Sequence, residues 1–253
     1  MMSPNDLRFF ADYIHKELGI VYQQENYFQL EKRLTEVIRV MGLKDEEALV
    51  QKARMGMDGA FKQVMLDLAT NNETSFFRDA KIFSAIEKHV VPKIIANPKF
   101  SGTIRIWCAA SSFGQEPYSL AMTLTEMRKK NPAFPRFEIV ATDISENALK
   151  RAKAANYTQL EVQRGLAPEL LTRYFTLATD GTYNVGPEVK NTVSYKKQNL
   201  LDSFSSLGTF DLVLCRNVLI YQKDESKREI IRRISMTMNP NAFLFLGAAE
   251  SLM

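Results

Sequence analysis

Two acidic residues stand where the chain passes from an apolar segment into a helical one, a placement that suits them to bind a polar ligand. Asp143 ends the apolar segment 137–143, and Glu116 lies in the loop after the apolar segment 103–110. A carboxylate at a strand end can accept two hydrogen bonds from a ribose diol, and a second carboxylate can meet an ammonium group. Each residue also has a structural alternative, because an acidic side chain at the start of a helix can cap that helix.

The loop from Ala109 to Ser119 contains several small residues and a single glycine, Gly114. Such a loop allows a sharp turn between strand and helix, and ligands of parallel α/β sheets bind beside turns of this kind. One glycine is too few for the phosphate cradle of a dinucleotide-binding loop or a P-loop. Carboxylates placed for ribose and amine, without a phosphate cradle, favour S-adenosylmethionine over NAD or ATP.

Polar residues after two further apolar segments add candidate ligand groups. Asn199 and Asn217 each follow an apolar stretch, where a buried amide could bind an adenine edge or a methionine carboxylate. As turn residues, they would need no function at all. Arg216 comes directly after the apolar segment 210–215. An unpaired charge at that point is costly, which makes Arg216 harder to explain as a purely structural residue.

The elements that must position these residues fall into two groups. Residues 1–70 show apolar side chains at helical spacing between caps and glycines, which predicts an all-α N-terminal domain. Residues 71–253 contain short apolar segments that alternate with amphipathic ones, which predicts a parallel sheet with right-handed crossovers. Strands are expected at 103–110, 137–143, 210–215 and 242–247, and helices at 118–127, 146–155 and 223–238.

One stretch interrupts this alternation. Asp180-Gly181 is a strong hairpin signal between the candidate strands 173–178 and 182–185. We therefore expect a small antiparallel insert at about 157–192. Residues 193–195 could supply a third strand of this insert or begin the next strand of the main sheet.

The composition argues against several classes of protein. With 45% hydrophobic and 25% charged residues the chain is typical of a folded protein, and a net charge of +4 is too weak to argue for nucleic acid. His15 and His89 lack ligand-spaced partners, and Cys108 and Cys215 lie in apolar segments, so we expect no metal site and two buried free thiols. No segment is apolar enough to span a membrane and no signal peptide is evident, which predicts a cytoplasmic protein, by default a monomer.

Several motifs, in order along the chain, resemble those of the CheR family, the chemotaxis receptor glutamate methyltransferases. The segment Asn72-Glu-Thr-Ser-Phe-Phe-Arg78 resembles the family signature N-x-T-x-F-F-R, and Gly114-Gln-Glu-Pro-Tyr-Ser119 resembles the loop G-[EQ]-E-P-Y-S. Residues 199–201, 210–221 and 243–252 resemble the later blocks of the family. The resemblance covers essentially the whole chain.

This resemblance implies a Rossmann-like S-adenosylmethionine methyltransferase sheet with a small antiparallel β insert, preceded by the all-α domain. It implies methylation of glutamate side chains on the cytoplasmic domain of chemoreceptors, with S-adenosyl-L-homocysteine as the product. The residues implied to line the cofactor pocket are Asn72, Thr74, Arg78, Glu116, Asp143, Asn199, Leu200, Arg216 and Asn217. In some members the insert also binds a tether peptide at the C-terminus of the receptor.

Two side chains are candidates for positioning the substrate. We expect Arg78 to orient the acceptor carboxylate or the nearby end of the cofactor, because its guanidinium fork matches a carboxylate. The Tyr221 hydroxyl would help to align the acceptor, or its ring would simply seal the pocket. The cations Lys32, Arg33 and Arg39 could contact the acidic receptor stalk or form a solvated face.

One position departs from the family pattern. Phe113 stands where the family usually has a small threonine, and its ring would either narrow the pocket or pack outward. Relatives also continue through about two more strands beyond the position of Ser251.

The alternative function is a non-catalytic S-adenosylmethionine-binding signalling module. A DNA N-methyltransferase is set aside because the pair Asn239-Pro240 lacks the aromatic residue of that class and is expected to precede a strand.

Overall fold

The first part of the chain is helical in the computed structural model, which describes residues 2–251. Its helices are α1 (Pro4–Leu18), α2 (Tyr27–Met41), α3 (Glu46–Met55) and α4 (Gly59–Ala69). At the start of α1 the Ser3 hydroxyl accepts the Asp6 N–H at 3.2 Å, and Gly19 ends the helix with a φ of 72°. The apolar faces of the helices meet in one core that includes the fully buried Phe10 and Phe61.

One basic residue of α2 binds backbone groups of the same helical part. The Arg33 guanidinium donates to the carbonyl oxygens of Leu68 at 2.6 Å and Thr70 at 2.7 Å, which ties α2 to the end of α4. Arg39, by contrast, pairs on the surface with Glu36. Arg33 therefore does not belong to a solvated face, whereas a receptor contact of the α2 cations stays a prediction.

Within residues 2–251, all the strands lie in the second part of the chain. The strands are β1 (Thr103–Ala109), β2 (Arg136–Asp143), β3 (Asn156–Tyr157), β4 (Phe175–Leu177), β5 (Tyr183–Val185), β6 (Val193–Lys197), β7 (Phe210–Cys215) and β8 (Met238–Leu246). The helices are α5 (Ala80–Ala85), α6 (Val91–Ile95), α7 (Gln115–Lys130), α8 (Glu146–Ala154), α9 (Gln159–Gln163), α10 (Pro168–Tyr174), α11 (Pro187–Lys190) and α12 (Asp224–Ser235). A π-helical turn at Ile86–Val90 joins α5 to α6, and 3₁₀ turns lie at Gln24–Asn26, Ser205–Leu207 and Leu219–Tyr221.

Five parallel strands form the main sheet, in the order β6-β2-β1-β7-β8. This is the Rossmann-like α/β arrangement that the sequence predicts, and the strands expected at 103–110, 137–143 and 210–215 are present within one residue of each predicted end. Because the strands are parallel, the carboxyl ends of β1, β2 and β7 lie at one edge of the sheet, where ligands of such folds bind.

The last strand differs from its prediction. β8 begins at Met238 instead of 242, so the expectation that Asn239 and Pro240 precede a strand is wrong. β8 lies at the edge of the sheet and its pairing with β7 shifts register near its start. Proline is tolerated at such irregular edge positions because no ladder hydrogen bond needs its missing N–H.

The expected insert is present as a separate three-stranded antiparallel sheet, in the order β3-β5-β4. The turn at 180–181 joins β4 to β5, as predicted. The strand predicted over 173–178 is wrong at its start, because the helix that Pro168 opens continues into it. Residues 193–195 belong to β6 of the main sheet, which decides between the two alternatives that the sequence leaves open.

The single tryptophan lies at the centre of the main sheet. Trp107 of β1 is fully buried, and its indole N–H donates to the Thr142 hydroxyl of β2 at 2.9 Å. Its ring contacts those of Phe204 and Phe210, with centroids 4.9 and 5.7 Å away. The middle of the sheet is thus assembled from segments that are far apart in the sequence.

Candidate functional site

A cavity of about 1000 Å³, including its open mouth, lies at the edge where β1, β2 and β7 end. All the residues that the sequence predicts for the site line this cavity: Asn72, Thr74, Arg78, Glu116, Asp143, Asn199, Leu200, Arg216, Asn217 and Tyr221. Apolar side chains from Leu18, Ile20, Phe83 and Val218 contribute to the same wall. The fold therefore brings the predicted residues to one place.

The loop between β1 and α7 turns sharply to reach the cavity. Ala110 and Ser112 both have left-handed backbone, with φ of 54° and 50°, and Gly114 has a φ of 91°. A side chain at Gly114 would place its Cβ 2.7 Å from the Tyr195 hydroxyl, so only glycine fits there. Ser111 lines the cavity, and its buried hydroxyl has no hydrogen-bond partner within residues 2–251.

Asp143 is a buried carboxylate held by the backbone. It is 5% exposed and accepts the N–H groups of Ser112 at 2.8 Å and Ser145 at 2.9 Å. Burial raises the pKa of this carboxyl above its usual value, and the backbone N–H groups partly offset that rise. The structural alternative for Asp143 is wrong, because Ser145 caps α8 by accepting the N–H of Ala148 at 3.0 Å.

Arg216 forms a buried ion cluster beside the cavity. Its side chain is 1% exposed and donates to Glu116 at 2.8 Å, to Asp79, and to the carbonyl oxygen of Arg78 at 3.2 Å. These partners explain how a charge can stand directly after an apolar strand. Burial raises the pKa of the Glu116 carboxyl, and the charge of Arg216 partly offsets the rise. Glu116 lies in the first turn of α7, and the helix has no side-chain cap.

The segment that carries Asn72, Thr74 and Arg78 is held in an irregular shape by the elements around it. The carbonyl oxygen of Asn72 accepts the Ser112 hydroxyl at 2.8 Å, and Arg78 donates to the carbonyl oxygen of Glu73 at 3.2 Å. Asp79, directly after Arg78, has left-handed backbone with a φ of 60°.

The antiparallel insert packs directly against the segment 72–79. The fully buried Phe76 ring packs edge-on against Tyr157 and Phe175, with centroids 4.9 and 5.5 Å away. A Cβ at Gly165 would lie 2.0 Å from the Phe76 carbonyl oxygen, and Gly165 has a φ of 93°. The insert therefore fixes the backbone on which the predicted site residues stand.

The two asparagines differ in how the fold uses them. The Asn199 side chain donates to the carbonyl oxygen of Glu17 at 2.7 Å and accepts the N–H of Leu201 at 3.0 Å, which is the turn role that the sequence leaves open. Asn217 has left-handed backbone, with a φ of 59°. The Tyr221 hydroxyl accepts a hydrogen bond from the Asn71 amide at 2.8 Å.

The end of α1 closes one side of the cavity, which the sequence does not reveal. Ile20 forms an isolated antiparallel bridge with Gln222, whose amide donates to the carbonyl oxygen of Leu18 at 2.9 Å. A Cβ at Gly19 would lie 2.0 Å from the Gln222 side-chain oxygen, so glycine is required for this approach. The only sequence signal is Gly19 itself, which serves equally well as a helix stop.

Phe113 packs outward. Its ring does not line the cavity and lies against the Arg151 guanidinium, 4.0 Å from the ring centroid. Its carbonyl oxygen accepts the Tyr157 hydroxyl at 2.7 Å. Of the two expectations for this departure from the family pattern, narrowing of the pocket is therefore wrong.

Comparison with known proteins identifies the family. Residues 72–253 match the family described as CheR methyltransferase, SAM binding domain. The chain belongs to the CheR family. It is 41% identical to chemotaxis protein methyltransferase 1 of Pseudomonas aeruginosa, over 98% of this chain and 90% of that protein. It is 38% identical to chemotaxis protein methyltransferase Cher2 of Pseudomonas putida (99% and 92% covered) and 32% identical to the Escherichia coli chemotaxis protein methyltransferase (99% and 85%).

The cofactor of this CheR family domain is S-adenosylmethionine, and the cavity fits it. Two buried polar atoms of lining residues, the Ser111 hydroxyl and Nε of Arg216, have no partner within the described chain, which leaves hydrogen-bonding capacity beside the cavity for a ligand with hydroxyl and carboxylate groups. Cys108 and Cys215 are free and buried, as predicted. Over residues 2–251 no group of His, Cys, Asp or Glu is arranged to hold a metal ion, and no helix there is long and apolar enough to cross a membrane.

Proposed function

We propose that this CheR family member transfers a methyl group from S-adenosylmethionine to glutamate side chains on the cytoplasmic domain of chemoreceptors. It would thus be a protein-glutamate O-methyltransferase. The observation that carries the proposal is that Arg78, Tyr221, Glu116 and Asp143 line one and the same cavity, in a chain whose relatives are named chemotaxis protein methyltransferases. The proposal includes a cytoplasmic monomer with a domain boundary at about residue 70.

The cofactor would be held by residues that surround the cavity. Asp143 keeps acceptor capacity for a ribose diol, because each of its oxygens accepts only one backbone N–H. Glu116 supplies a negative charge for an ammonium group. The remaining proposed cofactor residues are Asn72, Thr74, Arg78, Asn199, Leu200, Arg216 and Asn217.

The reaction needs positioning more than acid–base chemistry. When bound, S-adenosylmethionine supplies an electrophilic methyl group, and its sulfur takes back the bonding electron pair. A glutamate carboxylate is already an anion near neutral pH, so the chain needs no general base. The protein has to hold the carboxylate oxygen in line with the methyl group and to exclude water from it.

Two side chains have the geometry for this work. Arg78 uses one nitrogen to bind the Glu73 carbonyl oxygen and retains other N–H groups for a carboxylate. The Tyr221 hydroxyl accepts from Asn71, which leaves its own proton free to donate to an acceptor oxygen. We therefore assign Arg78 to orienting the receptor carboxylate and Tyr221 to aligning it.

The insert would add a contact to the receptor in this proposal. β4 is an edge strand, and Leu177 on it is 62% exposed, so a tether peptide at the receptor's C-terminus could pair along this edge. Titration calorimetry with such a peptide tests this part, and the absence of binding would remove the tether from the proposal.

The experiment uses methyl-labelled S-adenosylmethionine with the full chain and chemoreceptor cytoplasmic fragments. Mild alkali releases methanol from carboxyl methyl esters but not from amide or amine methyl groups, so volatile label identifies the product. We expect signal from the wild type and from Arg228→Ala, a change at an exposed arginine of α12, and at least a tenfold loss in Arg78→Ala. Cofactor binding without volatile label would contradict the proposal and favour the non-catalytic binding module.

A further inference from the structure

Glu250 lies under the turn that follows β7, and its carboxylate collects the backbone N–H groups of that turn. One oxygen accepts the N–H of Val218 at 2.8 Å, of Leu219 at 2.7 Å and of Ile220 at 3.3 Å. The other accepts the N–H of Asn217 at 2.8 Å. Without Glu250 these donors would lose their partner, which is costly for backbone groups that are partly buried.

A second contact builds Glu250 into a tight turn of its own. The Gly247 N–H donates to the Glu250 carboxylate at 2.6 Å, and the Glu250 N–H donates back to the Gly247 carbonyl oxygen at 2.9 Å. A Cβ at Gly247 would lie 2.7 Å from the carboxylate and 2.8 Å from the backbone nitrogen of Asn217. The spacing Gly-Ala-Ala-Glu at 247–250 is therefore needed to bring the carboxylate against the turn.

The turn that Glu250 holds carries three residues of the cavity wall. Asn217 and Val218 line the cavity, and Tyr221 closes the turn with its hydroxyl on Asn71. Asn217 also has left-handed backbone, which asparagine tolerates better than most residues but which contacts with the surroundings still have to stabilise. The four N–H groups of residues 217–220 that converge on the Glu250 carboxylate supply such contacts.

From this geometry we infer that Glu250 is a positioning residue of the methyltransferase site, which acts by fixing the 217–221 turn against the cavity. The inference concerns cofactor binding and rests on the SAM-binding domain, so its test is independent of the proposed methyl transfer. Glu250 does not line the cavity and would touch neither cofactor nor substrate.

The test is Glu250→Gln in the full chain. Glutamine has the same shape, but one of its two acceptor oxygens becomes an NH₂ donor, and both oxygens of Glu250 accept N–H groups. In either orientation of the glutamine amide, its NH₂ group therefore faces a backbone N–H, so that two donors oppose each other. Glu169→Gln, at an exposed position on α10, is the matched control.

Titration calorimetry with S-adenosylhomocysteine separates positioning from folding, because a loss of folded protein lowers the stoichiometry and leaves the Kd unchanged. We expect the Kd of Glu250→Gln to rise at least tenfold at unchanged stoichiometry, with the control within twofold of wild type. An unchanged Kd would overturn the inference. If wild type binds the product but forms no volatile methanol, the proposed function fails while this test still stands.

Two measurements test the inference even if Glu250→Gln does not fold. Gly247→Ala pushes a methyl group between the carboxylate and Asn217, so we expect the Kd of this variant for S-adenosylhomocysteine to rise as well. Hydrogen exchange on the wild type should show slow amides at Val218 and Leu219. Fast exchange at both amides would overturn the inference.

Discussion

Replacing Arg216 by glutamine should destabilise the protein strongly, because it leaves Glu116 as a charge without its partner. The Arg216 side chain is 1% exposed and that of Glu116 is 15% exposed, so solvent compensates little of the loss. Removing one partner of such a buried pair costs about 3–5 kcal/mol. For a chain of this size that corresponds to a fall in Tm of about 6–20 °C.

The neighbouring pair provides the contrast. Asp79 also binds Arg216, but its side chain is 43% exposed, and asparagine tolerates its φ of 60°. Asp79→Asn should therefore cost less than about 1 kcal/mol. In the double variant Arg216→Gln/Glu116→Gln both charges are gone, and we expect most of the lost stability to return.

The assay is urea unfolding followed by circular dichroism, at pH 7.5 and at pH 5.5. Burial raises the pKa of the Glu116 carboxyl, and the loss of Arg216 raises it further. A carboxyl with a higher pKa in the folded state binds its proton more readily there, so the deficit of Arg216→Gln should shrink as the pH falls through that raised pKa. A cost below about 1 kcal/mol at pH 7.5 would refute this reasoning, as would additive effects in the double variant.

Asp143→Asn should weaken binding of S-adenosylhomocysteine by about ten- to a hundredfold, because the amide offers one acceptor oxygen fewer to the ribose diol and its N–H would face a backbone N–H; calorimetry measures the Kd, and unchanged affinity would remove Asp143 from the cofactor site. Phe113→Thr should leave that Kd within twofold, since the ring packs outward, and should cost about 0.5–1 kcal/mol in urea unfolding; a tenfold change in Kd would contradict the outward packing. Gly165→Ala should lower the free energy of unfolding by about 2 kcal/mol or more, against about 1 kcal/mol for Gly181→Ala, because both glycines have positive φ but only Gly165 lies against another backbone segment. Equal Tm values for the two variants would show that this backbone contact does not affect stability.

Local patterns predicted those parts of the fold that local chemistry determines. Ser3 and Gly19 set the ends of α1, and the apolar segment 210–215 is β7 to the residue. Asp143 and Glu116 stand out because polar residues at the ends of parallel strands share one edge. The start of β8 at Met238 was not predictable in this way, since an edge strand with a register shift admits residues such as Pro240 that otherwise mark loops.

The contacts that complete the site come from segments far apart in the sequence, and no local pattern announces them. The Gln222 amide donates to the carbonyl oxygen of Leu18, 204 positions away in the sequence, and the Asn199 amide donates to that of Glu17, 182 positions away. Glu250 lies within a block that resembles the family, but its spacing from Asn217 indicates no contact until β7 and β8 are known to be neighbours in the sheet. Periodicity identifies which residues are buried, whereas such pairings depend on how the chain closes.

The central tryptophan makes this protein its own folding probe. Because the surroundings of Trp107 come from Thr142 in β2 and from Phe204 and Phe210 further along, its emission reports the moment when distant strands assemble around β1. Far-ultraviolet dichroism, by contrast, follows all the helices, both α1 to α4 and those that flank the sheet. Refolding watched by both signals would therefore separate helix formation from assembly of the sheet, and a tryptophan signal that lags behind the dichroism would show that helices form before the strands meet around β1.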